Sequence, residues 1–172
     1  MTAVTEQLHL ELWVEIAEPL VGKVSKLPTT ETWQSWFVTW LGSLGTTTLA
    51  PINSYEVSLL LTDDVHIQQL NATYRQQDKA TDVLAFAAQE VDLPGAQAMY
   101  ATAPLPLGDI VISVETAQRQ RHDANYSLLQ ELSWLAAHGF LHLLGWDHPD
   151  ETSLKIMLEQ QECLLKQIDL QS

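Results

Sequence analysis

The sequence predicts a fold that combines β-strands with α-helices around one buried helix, and three stretches carry that expectation. Near the N-terminus Leu8, Leu10, Leu12, Val14 and Ile16 alternate with His9, Glu11, Trp13 and Glu15, the period of a half-buried strand. Leu107-Gly-Asp-Ile-Val-Ile-Ser-Val is almost continuously apolar, as a central strand covered on both faces would be. From Leu128 to Leu144 apolar residues occupy nearly every side of a helical projection, which marks a buried central helix.

The remaining elements follow in order. Pro19 and Gly22 end the first strand, and Pro28-Thr-Thr opens a helix to about Gly42. That helix carries Trp33, Trp36, Phe37 and Trp40 at i, i+3, i+4 and i+7, an aromatic stripe expected in the core, with a docking face as the alternative. Glu56 to Thr62 reads as a strand, and Asp63 or Asp64 can cap the next helix, whose Val65, Leu70 and Tyr74 are expected to point inward. The segment from Thr81 to Ala88 reads as a short strand, and the proline-rich segment from Gln89 to Pro106 as a long loop. A short helix is expected from about Glu115 to His122. Ser127-Leu-Leu-Gln130 has capping-box form and begins the central helix. Asp150 caps a last helix with Leu154, Met157, Leu158, Leu165 and Ile168 inward and Cys163 as a small hydrophobe on the same side.

Composition narrows the function classes. A chain of 172 residues, 46% hydrophobic and without repeats or a linker, is expected to fold as one domain, residues 1–172. No apolar run approaches the roughly 20 residues that span a bilayer, and the acidic N-terminus lacks the Lys or Arg of a signal peptide. A cytoplasmic protein without a membrane partner is the expectation, and a lone cysteine precludes an intramolecular disulfide. With 8 basic and 22 acidic residues the net charge is −14, which argues against bulk, non-specific nucleic-acid binding but permits a local basic site.

The chemistry is concentrated in His138-Gly-Phe-Leu-His142-Leu-Leu-Gly145-Trp-Asp147-His148. Four residues advance a helix by about 400°, so His138 and His142 share a face and can reach one ion. Gly145 permits a left-handed helix stop, and the reversal can return His148 to the same ion. Three neutral imidazoles with one open position form the ligand set of a catalytic zinc site, although nickel, copper or iron(II) also suit imidazole. The spacing matches the metzincin protease motif H-E-x-x-H-x-x-G-x-x-H, except that Gly139 stands where the general-base glutamate would be. The cage is kept and the protease base is absent, which points away from peptide hydrolysis.

Residues around this block have weaker signals. Asp147 is a candidate for orienting a ligand imidazole or a plain turn residue. Glu131 lies on the same helical face but about 10 Å along the axis from His138, which favours a buried structural role over ligation. His9 and His66 read as surface residues, and His122, after Arg119 and Arg121, as a possible contributor to an anion site. Arg75, late in its helix, can be a surface ion-pair partner or a guanidinium fork for a phosphate.

Leu70-Asn-Ala-Thr-Tyr-Arg75, Thr81-Asp-Val-Leu-Ala-Phe86, Leu107-Gly-Asp-Ile-Val-Ile-Ser113 and the block from His138 to His148 together resemble the YbeY family of bacterial rRNA-processing endoribonucleases. The resemblance covers roughly residues 54 to 168 and leaves residues 1–50 as a divergent N-terminal strand and Trp-rich helix. It implies an α+β fold with a small mixed sheet beside the histidine-bearing helix, in the manner of the zincins. It implies that His138, His142 and His148 bind one zinc ion per chain and that Arg75 is the functional arginine of the cleft. It further implies cleavage of single-stranded RNA, 3′-end maturation of small-subunit rRNA and ribosome quality control, with ribosomal or assembly proteins as partners. The departures are mild: Ala85-Phe-Ala replaces Ser-Phe-Pro, and Ala137 replaces valine. Two other readings are a non-catalytic, metal-stabilised ribosome-assembly factor and a metallohydrolase acting on amides, the latter opposed by Gly139.

Overall fold

The computed structural model describes residues 7–45, 50, 52–88 and 94–170. Strand β1 (His9–Ile16) leads through a 3-10 turn to α1 (Thr30–Ser43), then β2 (Ser54–Thr62), α2 (Asp64–Arg75) and β3 (Val83–Ala87). A one-turn α3 (Ala96–Met99), β4 (Leu105–Ser113), α4 (Val114–Gln120), α5 (Leu128–Leu143) and α6 (Glu151–Lys166) complete the chain. The four strands form one mixed sheet in the order β1-β2-β4-β3. β1, β2 and β4 run parallel, and β3 pairs antiparallel with β4 at the edge. This is the expected α+β architecture, with β4 in the interior of the sheet.

One sheet face carries the main core. Leu10, Leu12, Val57, Leu59, Leu61, Ile110 and Ile112 meet α1 and α5 there. The aromatic stripe of α1 is core: Trp33, Phe37 and Trp40 are fully buried and Trp36 nearly so. Phe37 and Trp40 lie against Phe140 of α5, at ring-centroid distances of 5.0 and 6.3 Å, and the Trp40 indole donates to the Leu164 carbonyl of α6. The tryptophan helix thus braces the central helix between its two histidines. On the opposite face α2 covers a smaller patch through Ile67 against Leu84 and Val111.

The two sheet edges are treated differently. On β1, Gln34 of α1 donates to the Leu10 carbonyl and accepts from Leu12 N–H, so the outer ladder positions there are already satisfied. The outer edge of β3 instead borders a cleft beside α5.

Several side-chain expectations are corrected. Val65 and Tyr74 point outward, and the inner face of α2 is Ile67 and Asn71, the latter buried because its amide donates to the Lys79 carbonyl. Asp63 is the cap of α2, whereas Asp64 accepts from Ser113, Thr116 and Arg119 and ties α2 to α4. Burial raises the Asp64 pKa, but those three donors outweigh it and hold the carboxyl below its ordinary range. On α6, Leu158 and Cys163 are exposed, and Gln161 and Leu164 are buried instead. In the expected loop, residues 89–93 lie outside the described residues, α3 interrupts the remainder, and β4 begins already at Leu105.

Gly108 marks the irregularity where β2 and β4 shift register. Its φ is +133°, and a Cβ there would lie 2.1 Å from the Phe86 carbonyl oxygen. Gly108→Ala is therefore expected to cost roughly 3 kcal/mol or more, combining backbone strain with overpacking. Denaturant unfolding checks this, with a lowered midpoint at unchanged slope as the expected result.

Candidate metal centre and cleft

Helix α5 begins at the capping box read from the sequence: Ser127 accepts from Gln130 N–H and the Gln130 side chain accepts from Ser127 N–H. It ends in a Schellman motif, with Gly145 N–H donating to His142 O and Trp146 N–H to Leu141 O while Gly145 adopts φ +93°. This reversal returns the chain and brings His148 back over α5. The three rings converge, His138–His142 at 4.7 Å, His138–His148 at 5.7 Å and His142–His148 at 5.4 Å between centroids. One ring nitrogen from each lies within 4.8 Å of the others, and the Nε2 atoms of His138 and His142 are 3.1 Å apart. A tetrahedral zinc with bonds of about 2.0–2.1 Å places its nitrogens about 3.3–3.4 Å apart, so the spacing fits one ion.

The His138 ring is supported on two sides. His138 Nδ1 lies 3.0 Å from Gln161 Oε1, and its ring stacks on Trp134 at 5.3 Å with the planes 7° apart. Trp134 in turn stacks on His122 at 3.5 Å. The fully buried Glu131 fixes His122 by accepting from its backbone N–H and from Nδ1. Glu131 therefore has the structural role read from the sequence. The anion held by His122 is this internal carboxylate, not an external ligand. Asp147 Oδ1 accepts from the backbone N–H of His148 in the returning loop. His66 is bonded to Thr62, and His9 is exposed on β1, both away from the centre.

His138 and His142 open into a cleft of about 540 Å³ whose walls also include Arg75, Asp82, Val83, Ala85, Gly139, Trp146 and Asp147. Gly139 has a packing reason as well as a chemical one. A Cβ there would lie 3.0 Å from Ile110 Cγ2 and 3.4 Å from Val83 Cγ2, so a side chain would press on the sheet. Arg75 reaches the cleft from the last turn of α2, donating from Nη2 to the Ala85 carbonyl at 2.7 Å with its guanidinium 5.2 Å from the Phe86 ring centre. Among the described residues Arg119 pairs with Asp64 and Arg121 donates to Tyr126 O, and neither lines the cleft. Three participants were not named from the sequence. Asp82 is inside a quoted block, Trp146 is inside the histidine block, and Gln161 lies on another helix without any motif.

The class that this fold and site define is an α+β protein with three clustered histidines that could hold a metal ion beside an open cleft. The sequence profile of the Endoribonuclease YbeY family matches residues 22–169, which includes the tryptophan helix that the resemblance from residue 54 onward had left outside. The chain belongs to that family. It is 60% identical over 139 residues to Endoribonuclease YbeY of Nostoc sp., covering 81% of this chain and 74% of that one. It is 50% identical over 164 residues to Endoribonuclease YbeY of Cyanothece sp., covering 95% and 96%. A solution structure of a Thermotoga maritima protein shares the fold at 24% identity and a TM-score of 0.50, covering 91% of this chain and 88% of that one.

Burial lowers the pKa of His138 and of His142, each reinforced by neighbouring imidazoles. The unfolded chain therefore takes up protons near the ordinary value of 6.5, while the folded one resists them to lower pH. Stability from this pair is fully present above that value and falls as pH drops below it. Thermal melts of chelator-treated protein between pH 7.5 and 5.5 should show a falling midpoint, with a shallower fall in His138→Ala.

Proposed function

We propose that the chain is a zinc-dependent endoribonuclease that cleaves single-stranded RNA, with His138, His142 and His148 as the ligands of one zinc ion and Arg75 as the catalytic residue that grips phosphate. The observation that carries this reading is the convergence of three imidazole nitrogens, those of His138 and His142 in the cleft that Arg75 also lines. The names of its relatives support the RNA-cleaving activity. Zinc in such a cage polarises a phosphoryl oxygen and acidifies water.

The chain's own residues supply the rest. One guanidinium donor of Arg75 is anchored on Ala85 O, which fixes the fork while its other N–H groups remain for phosphate oxygens and the charge that develops on them. Half-buried Trp146 offers a face for stacking an unpaired base, a contact that a duplex cannot make without opening. Asp82 and Asp147 are the carboxylates of the cleft and the candidates to receive a proton from the attacking group.

The proposal extends to 3′-end maturation of small-subunit rRNA and ribosome quality control in the cytoplasm. Among the described residues no helix is long and apolar enough to cross a membrane. Contact with basic ribosomal or assembly proteins is favoured by the partly open sheet face. There Trp13 and Tyr74, 59% and 60% exposed, border a groove of about 690 Å³ that Glu15 and Asp109 also line. An acidic rim around aromatic side chains suits a cationic protein surface.

Elemental analysis and cleavage of a single-stranded RNA test the reading together. The wild type should carry about one zinc and lose cleavage on chelation, and His142→Ala should lose both. Arg75→Ala should keep the zinc while cleavage falls about 10²–10³-fold, the range for removing one preorganised donor. A zinc-loaded wild type that leaves both free RNA and ribosomal RNA uncut would favour the assembly-factor alternative. For the partner surface, the double variant Trp13→Ala, Glu15→Lys should sediment less with small ribosomal subunits while cutting free RNA at the wild-type rate.

A further inference from the structure

The side chain of Gln161 is 1% exposed, in the middle of α6, beside a metal centre whose sequence motif ends at His148. A buried amide is costly unless both of its ends are bonded, and both are. Its Nε2 is 2.9 Å from the Trp134 carbonyl oxygen and its Oε1 is 3.0 Å from His138 Nδ1. A carbonyl can only accept, so the amide nitrogen must be the end that faces Trp134. The amide oxygen must then face His138, and it too can only accept. His138 Nδ1 therefore carries the hydrogen, and in a neutral imidazole Nε2 is then left with a free lone pair. Nε2 is the atom that faces the other ligands, 3.1 Å from His142 Nε2.

Resting on the metal-site reading above, we propose that Gln161 is a positioning residue of the metal centre, holding His138 in the tautomer whose Nε2 lone pair points at the ion. Two fixed points make the hold rigid. The Trp134 carbonyl belongs to α5, one helical turn before His138, so α6 reads its position from the helix that carries the ligand. The Trp134 ring, stacked parallel to His138, restrains the plane in which that hydrogen bond must lie. Without an acceptor at position 161, His138 is free to place its hydrogen on Nε2, and each binding event must first move it.

The test compares Gln161→Met, which keeps length and loses both polar ends, with Gln161→Glu, which keeps an acceptor toward Nδ1. Zinc affinity is read by competition with a chromophoric chelator on metal-stripped protein, and the tautomer by ¹⁵N NMR of the histidine rings. Gln161→Met should bind zinc about 10–100-fold more weakly, the usual cost of losing such an outer partner, and Gln161→Glu should recover much of that loss. In the metal-free wild type His138 should be the Nδ1–H tautomer, with Nε2–H appearing in Gln161→Met. Wild-type zinc affinity in a folded Gln161→Met, or an Nε2–H tautomer in the wild type, would overturn the assignment of Gln161 alone. A wild type that binds no zinc would instead overturn the metal-site reading beneath it. Should Gln161→Met fail to fold, the wild-type tautomer still decides.

Discussion

The close approach of α5 to the sheet at Gly139 is the constraint on which the cleft depends. With no side chain at that position, Ile110 and Val83 come within van der Waals reach of the helix backbone. The edge of β3 is thereby brought beside the turn that holds His138 and His142. A side chain there would press on Ile110 and Val83, which would have to give by a few tenths of an ångström. The same contact disfavours a side chain at the position of the protease base. Phe140, one residue further on, makes the complementary contact by burying itself among the aromatic rings of α1. Adjacent positions thus press α5 against β-structure on one side and lock it to a helix on the other.

Around this packed axis, several buried polar groups are paired in a way that also orders the cleft. Gln161 joins α6 to α5 at the ligand His138, and Glu131 anchors the His122–Trp134 stack that lies against the same ring. Asp64 gathers Ser113, Thr116 and Arg119, tying the start of α2 to α4, while the far end of α2 carries Arg75. The Asp64–Arg119 contact is a largely exposed ion pair and contributes little. The remaining bonds end on buried or half-buried acceptors whose loss would strand a buried donor, a cost of about 1–3 kcal/mol per group.

Much of the molecule was legible because its signals are local. The capping box at Ser127, the stop at Gly145 and the spacing of three histidines are written within a few residues of one another, and the geometry follows from them. Alternation in β1 and continuity in β4 were equally direct. The failures share a different cause. Val65, Tyr74, Leu158 and Cys163 satisfy an apolar pattern, but each amphipathic helix has only one covered side, and the width of that cover is set by neighbours remote in sequence. α2 covers only part of its sheet face, so Tyr74 at its end lies over the rim, where its ring meets Phe86 at 5.4 Å rather than the core. Asn71 and Gln161 were hidden for the converse reason. A polar residue on an inner face looks like an error until its partner, a backbone carbonyl or a histidine from another element, is in view.

The charge balance shapes how an RNA-cleaving site of this kind can work. At −14 the chain repels a polyanion at long range, and Arg75 is the basic side chain that lines the cleft. Counterion release scales with the number of phosphates neutralised, so one guanidinium and one bound cation supply little affinity and little salt dependence. Transition-state charge, by contrast, would be concentrated on the few oxygens that Arg75 and a bound cation would face together. Such a site favours reaction over retention. It would depend on other molecules to present the strand, and would leave most RNA it meets unbound. The acidic groove around Trp13 lies on the opposite sheet face from α5, where a basic partner could bind without blocking the cleft. Selectivity would then come from which single strand a partner holds at the histidines, and the same negative charge that weakens RNA binding would draw in the partner that supplies it.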